Sequence, residues 1–300
     1  MVAYQDFKRA LEFDAKNPDL LRQLGLTGVE LSKYEEAIPV FEKLLTLQQA
    51  DTVSIVQLSK LYFYTHQWGK TILLATRALQ MHIGEKNYYM IGKSYYELED
   101  YGHAFSYLPS AATDEPTNAE IPYLIARAYV DMNNYKPAIP YFQKAIALDS
   151  SKVQWIYECA LVYATMYDDQ SAIKYYGLAA SKGYKKDNDF YENLADSYIS
   201  VGQPDKALQI LQDLLLKKPA DLELLNSLGF TCYKLKKYDQ AIKYWDQFLG
   251  YDKQNGRALY MIGMSYQKKG DNEKGKALCD KAIALDPSLK SLKTEIRIEQ

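Results

Sequence analysis

Apolar residues along this chain recur at spacings of three and four, in runs separated by short polar breaks. Between Ala119 and Lys152 the first run places Ile125, Tyr129 and Met132 on one stripe before Asn133-Asn134 interrupt it. A second run follows with Ala138, Phe142, Ala145 and Leu148. This spacing predicts amphipathic helices, each about 13–15 residues and roughly 20 Å long. So short a polar connection requires the two helices to lie antiparallel.

The same hairpin pattern returns at steps of about 34 residues, with copies starting near residues 18, 52, 85, 119, 153, 188, 222 and 256. On the first helix a large apolar residue precedes a small one in most copies: Leu24-Gly25, Leu58-Ser59, Ile91-Gly92, Ile125-Ala126, Cys159-Ala160, Leu194-Ala195, Leu228-Gly229 and Ile262-Gly263. Twelve residues later comes a second compact residue: Ala37, Thr71, Ala104, Ala138, Ala172, Ala207, Ala241 or Gly275. Two small residues facing each other let the helix backbones approach, and large neighbours such as Trp245 fill the space around them. A unit of this length cannot bury its apolar face alone, so the copies are expected to stack into one continuous body.

The frame also places the ends. Residues 1–17 read as the orphan second helix of a partial repeat, with Ala3, Phe7 and Ala10 at second-helix positions. The first helix of that copy would lie upstream of Met1, which leaves room for an upstream targeting signal. After Pro287, Leu289, Leu292 and Ile296 form a stripe, but Arg297 stands in the small-residue slot. Residues 288–300 are therefore expected to form a C-terminal capping helix, and residues 1–300 a single structural domain overall.

Composition adds mainly exclusions. Charged residues are 25%, and the formal net charge of −2 argues against nucleic acid as a partner. No stretch approaches the roughly 18 apolar residues of a membrane span, so no membrane insertion is expected. Cys159, Cys232 and Cys279 occupy apolar slots and read as buried packing thiols. A soluble location is expected, either cytoplasmic or, with an upstream signal removed, in a bacterial periplasm or cell envelope.

The small/aromatic/small set, for example Leu228, Gly229, Tyr238, Ala241 and Trp245, resembles the tetratricopeptide repeat family. Thr71 and Gly275 depart from its usual Ala, Gly28 and Cys232 from its usual Tyr, and an SKGYKKDN loop separates the fifth and sixth copies. The resemblance implies an all-α fold, a right-handed α-solenoid whose concave groove is lined by the first helix of each repeat. It also implies a scaffold or peptide-binding role without catalysis, and no cofactor or metal.

Positions off the packing stripe would face that groove. Lys60, Tyr64, Lys86, Tyr89, Lys93, Tyr96, Tyr123, Arg127 and Tyr157 are the candidate partner-binding residues. Tyr89, Tyr96 and Tyr123 would anchor a peptide, with Lys60, Lys93 and Arg127 pairing with its acids. The alternative is that these tyrosines are packing residues, since the chain holds 28. Asp189, Glu192 and Asp196 read as a solvated face. A two-carboxylate clamp for chaperone tails is not intact, because Arg22 and Lys86 keep their positions while Leu26, Gln57 and Met90 break the set.

Three histidines, His66, His82 and His103, are scattered, and no phosphate-binding glycine motif occurs. Two roles stay open: a non-catalytic module binding a protein or peptide in the groove, or a structural scaffold assembling, for instance as a homo-oligomer, through residues 1–17.

Overall fold

The computed structural model describes residues 2–290, and the part of the expected cap beyond Lys290, Arg297 included, lies outside the described residues. Seventeen α-helices and one 3₁₀ turn account for the described regular structure, and no strand occurs among these residues. The chain divides into two compact units, Met1–Trp155 and Ile156–Gln300.

In the first unit α1 (Val2–Phe13) precedes four helix pairs. These are α2 and α3 (Pro18–Glu30, Tyr34–Leu47), α4 and α5 (Thr52–Tyr64, Trp68–Gln80), α6 and α7 (Asn87–Glu97, Tyr101–Asp114), and α8 and α9 (Glu120–Asp131, Tyr135–Leu148). α10 (Val153–Thr165) begins in this unit and continues into the second, where it is followed by α11 (Asp169–Ser181). The second unit then holds α12 and α13 (Asn188–Ser200, Pro204–Lys217), α14 and α15 (Leu222–Lys234, Tyr238–Tyr251), and α16 and α17 (Gly256–Lys268, Asn272–Leu285). The 3₁₀ turn Pro287–Lys290 closes the described chain and buries Leu289. Each unit is a solenoid of antiparallel helix pairs in which consecutive helices pack on one another.

One local device reverses the chain inside every pair. Ser32, His66, Glu99, Asn133, Tyr167, Gly202, Lys236 and Gly270 all have positive φ at the turn. The amide of the following residue then reaches back to a carbonyl five residues earlier, as Lys33 does to Gly28 at 2.8 Å and Lys237 to Cys232 at 2.9 Å. This closure satisfies carbonyls that the helix end leaves without partners. Helix starts are fixed by short polar caps: Asn17 accepts from the amides of Asp19 and Leu20, and Asp221 from those of Glu223 and Leu224.

The small slots set the spacing within pairs. A β-carbon on Gly25 would lie 2.6 Å from the Phe41 ring, and one on Gly229 would lie 2.5 Å from that of Trp245. Both rings are fully buried. Thr71 is buried in the usual Ala slot without disturbing the pair, its hydroxyl turned back to the Gln67 carbonyl at 3.2 Å. Cys159, Cys232 and Cys279 are all buried.

The departure at Gly28 has a packing cause. Tyr4 of α1 is buried against it, so that a β-carbon on Gly28 would sit 3.4 Å from the Tyr4 ring. Elsewhere the large ring belongs to the first helix, as where Tyr129 meets Phe105 of the preceding helix at 4.6 Å. Here the ring comes from α1 and the glycine makes room for it. The Tyr4 hydroxyl donates to Glu36 at 2.9 Å, and the ammonium groups of Lys8 and Lys33 lie 4.9 and 5.0 Å from its ring centre. Ala3 is exposed and Phe7 half-buried on the same helix.

Candidate functional site

The first helices α4, α6 and α8 of the first unit carry eight of the nine candidate residues. Lys60 and Tyr64 sit on α4, Lys86 at the start of α6, Tyr89, Lys93 and Tyr96 along α6, and Tyr123 and Arg127 on α8. Residues three and four apart on a helix share a face, which is how Tyr89, Lys93 and Tyr96 come to line one side of α6.

An aromatic row crosses this face. Tyr34, at the start of α3, stacks on Tyr64 with ring centres 6.0 Å apart, Tyr64 meets Phe63 at 6.1 Å, and Phe63 meets Tyr89 at 5.7 Å. Trp68 extends the row from α5, with its edge contact to Phe63 at 5.8 Å. Tyr64 is 59% exposed, while Tyr34, Phe63, Trp68 and Tyr89 are half-buried.

Two carboxylates of α8 tie its face to α6. Glu120 accepts from the Tyr89 hydroxyl at 2.7 Å and from the Lys93 ammonium at 2.6 Å. Burial acts to raise the Glu120 carboxyl, but these two hydrogen bonds hold it below the usual carboxylate value. Burial, together with the Glu120 charge, drives the Tyr89 phenol well above its ordinary value. Asp131 makes a similar tie at the far end of α8, accepting from the Tyr96 hydroxyl at 3.1 Å and pairing with Arg127 at 3.2 Å. The Tyr96 phenol is pushed up to about 12, chiefly by burial. Lys86 pairs with Glu115 at 2.9 Å. Lys60 has no ion pair among the described residues.

Tyr123 stacks on Trp155 at 4.5 Å with the rings 15° apart, and Lys152 lies 5.9 Å from the Trp155 ring centre. Together with Asn118, Glu120 and Asp149 they border a polar cleft of about 600 Å³. Tyr157 has a different fate. It lies in the second unit, only 7% exposed, stacked on Tyr184 at 4.4 Å and beside Phe190 and Tyr176. Its hydroxyl accepts from Asn193 at 3.1 Å. The irregular loop before α12 supplies Tyr184, and that ring covers Tyr157.

Asp189, Glu192 and Asp196 line α12 of the second unit. Burial raises the Glu192 carboxyl, and the neighbouring Asp221, Glu223, Asp189 and Asp196 raise it further. The three histidines are exposed. Among the described residues no three or more His, Cys, Asp or Glu side chains gather as a metal set, and no helix is long and apolar enough to cross a membrane.

Sequence reading alone missed Tyr34, Trp68, Trp155 and the three carboxylates that neutralise the cations. The signal for the carboxylates was present: Glu120 opens the helix of the copy following Lys93 and occupies a groove-facing slot.

Comparison with known proteins places the chain. A family model described as "Tetratricopeptide repeat" matches residues 19–51 and 256–289. A second, described as "Anaphase-promoting complex, cyclosome, subunit 3", matches residues 64–145 and 165–248. Among solved structures, YrrB, described as a TPR protein with an unusual peptide-binding site, is 24% identical with a TM-score of 0.50, over 60% of this chain and 92% of its own. MamA from Desulfovibrio magneticus RS-1 is 15% identical with a TM-score of 0.51, over 57% of this chain and 96% of its own. At these identities the likeness is one of fold. No curated protein matches the sequence. The second model's matches cover more than half of the chain, and with the tetratricopeptide repeat matches at either end they make this chain a member of the tetratricopeptide repeat family, whose repeats are in general protein-interaction modules.

Proposed function

We propose that this chain is a non-catalytic module that holds a peptide or partner-protein segment on the first-helix face of α4, α6 and α8. The observation that carries the reading is the continuity of the aromatic row Tyr34, Tyr64, Phe63 and Tyr89. Scattered surface rings are ordinary, whereas a contiguous exposed patch marks an interaction surface. Tyrosine also contributes large contact area at small entropic cost, which suits it to an interface anchor.

The test uses the full chain and peptides selected against it from a random display library. Replacing Tyr34 and Tyr64 together by Ala is expected to weaken binding of the selected peptides about tenfold or more, as loss of an interface anchor worth about 2 kcal/mol would. Peptides that bind the double variant as well as the wild type would place the interaction elsewhere and refute the site.

A second reading, assembly through residues 1–17, is favoured by one observation: Phe13 is 92% exposed and Val2 77% exposed on α1. Sedimentation of the wild type and Phe13→Asp across a concentration series tests it. A monomer at every concentration removes this reading.

A further inference from the structure

Resting on the proposed binding face, we infer that its partner is a mainly apolar or aromatic segment carrying one carboxylate, which seats at Lys60. A run of acids is not its ligand. The inference comes from subtracting the charges already matched within the chain. Five cations were candidates for meeting a ligand acid on the first-helix faces of this unit. Lys93 is bound to Glu120 at 2.6 Å, Arg127 to Asp131 at 3.2 Å and Lys86 to Glu115 at 2.9 Å. Arg22 reaches Asp19 at 2.8 Å and Asp51 at 3.5 Å. An incoming carboxylate at any of these four would meet a resident carboxylate at the same cation. The repulsion of that resident carboxylate offsets the attraction of its cation, so the pair offers an incoming acid little net gain.

Lys60 differs. It has no ion pair among the described residues, and Gln57, one turn before it, has no side-chain hydrogen bond there. Phe63 and Tyr64 stand three and four residues further along the same helix, where they share its face. Val53 and Val56, both half-buried, lie on the other side. The α4 face therefore offers apolar surface, one amide and one cation, then an aromatic surface. The complementary segment repeats that order of chemistry, with a single acid between apolar or aromatic side chains.

Display selection against the wild type and against Lys60→Glu tests this. Because Lys60 supports no in-chain ion pair, its reversal is expected to leave the thermal midpoint unchanged, checked by circular dichroism. Wild-type selection is expected to enrich peptides with one Asp or Glu among apolar and aromatic residues. Lys60→Glu selection is expected to replace that acid by Lys or Arg, and to bind the wild-type-selected peptides at least tenfold more weakly at low salt. Enrichment of acidic runs, or an acid preference unchanged by Lys60→Glu, overturns the inference. If those peptides still lose binding on Tyr34→Ala/Tyr64→Ala, the binding face survives the failure. If they do not, both fail together.

Discussion

The tight contact between Gly229 and Trp245 inside one helix pair gives the sharpest prediction. A β-carbon built on Gly229 would lie 2.5, 2.7 and 2.8 Å from three atoms of the indole. Carbon atoms in ordinary contact sit about 3.5–4.0 Å apart, so Gly229→Ala requires the ring or the helix to withdraw by about 1 Å. The ring has little freedom to do so. It is fully buried, its Nε1 donates to Asn226 at 3.3 Å, and Phe230 meets it edge-on at 5.3 Å. Overpacking of this kind costs about 1–3 kcal/mol, against which Ala gains up to about 1 kcal/mol of helix propensity over Gly.

Propensity can be removed from the comparison with Gly177→Ala. Gly177 lies in α11 of the same unit with nothing within 4 Å of its would-be β-carbon. That substitution is expected to stabilise by about 0.5–1 kcal/mol. The two variants should therefore differ by the contact term alone, about 1–3 kcal/mol, in urea denaturation followed by circular dichroism at 222 nm. With slopes of about 1–3 kcal/mol per molar urea, the midpoints should separate by roughly 1 M. A Gly229→Ala midpoint at or above that of Gly177→Ala would show that the crossing of α14 and α15 is not set by this glycine. Trp245→Leu should then relieve the clash, so that the double variant loses less than the two single losses added together.

Two further outcomes follow from local geometry. Tyr167 is held at φ 60° while 91% exposed, in the slot that Gly202 and Gly270 fill elsewhere; Tyr167→Gly is expected to raise stability by about 0.5–1 kcal/mol, and an unchanged or lower denaturation midpoint would count against a strained turn. Glu36 is drawn from 4.5 to about 2 by hydrogen bonds from Lys33 first, then Lys8 and Tyr4. A depressed carboxyl stabilises the fold above its unfolded value and loses that contribution as pH falls through the folded one, so the docking of α1 should weaken between about 4.5 and 2. Glu36→Gln should abolish that pH dependence and speed amide exchange in residues 2–13 at neutral pH; equal exchange in the two proteins would show that the cluster does not hold the helix.

The hairpin frame was legible because its requirements are steric and recur. Gly25, Ser59 and Gly92 must be small wherever a second helix crosses, and no other arrangement of the chain demands small residues at that step. Gly28 was not legible within its own copy, since its cause is Tyr4 on the preceding helix. Charge pairing was hidden in the same way: Lys93 and Glu120 lie 27 positions apart, and Tyr96 and Asp131 lie 35 apart. Each pair joins adjacent copies, whereas spacing along one helix shows only partners three and four positions away. Tyr157 is covered because the connection between α11 and α12 brings Tyr184 over it, whereas the connection of equal length between α5 and α6 carries Ile83 at the matching place.

Pairing between copies also decides what each helix has left for a partner. Lys93 keeps Glu120 ionised even though burial works against the carboxylate, so cation and anion stabilise each other and neither is readily given up to a ligand. Yet the same side chain lies 5.7 Å from the Phe63 ring centre and 5.9 Å from that of Tyr89, holding the two rings beside one another. Its charge thus orders the aromatic row from within. On α6, then, Lys93 serves the shape of the face, while on α4 Lys60 has no ion pair among the described residues and is the cation that the proposed binding reading assigns to an acid of the partner. Substituting Lys93 and substituting Lys60 should accordingly fail in different ways: the first by loosening the rings against peptides of any charge, the second by changing which charge the face prefers.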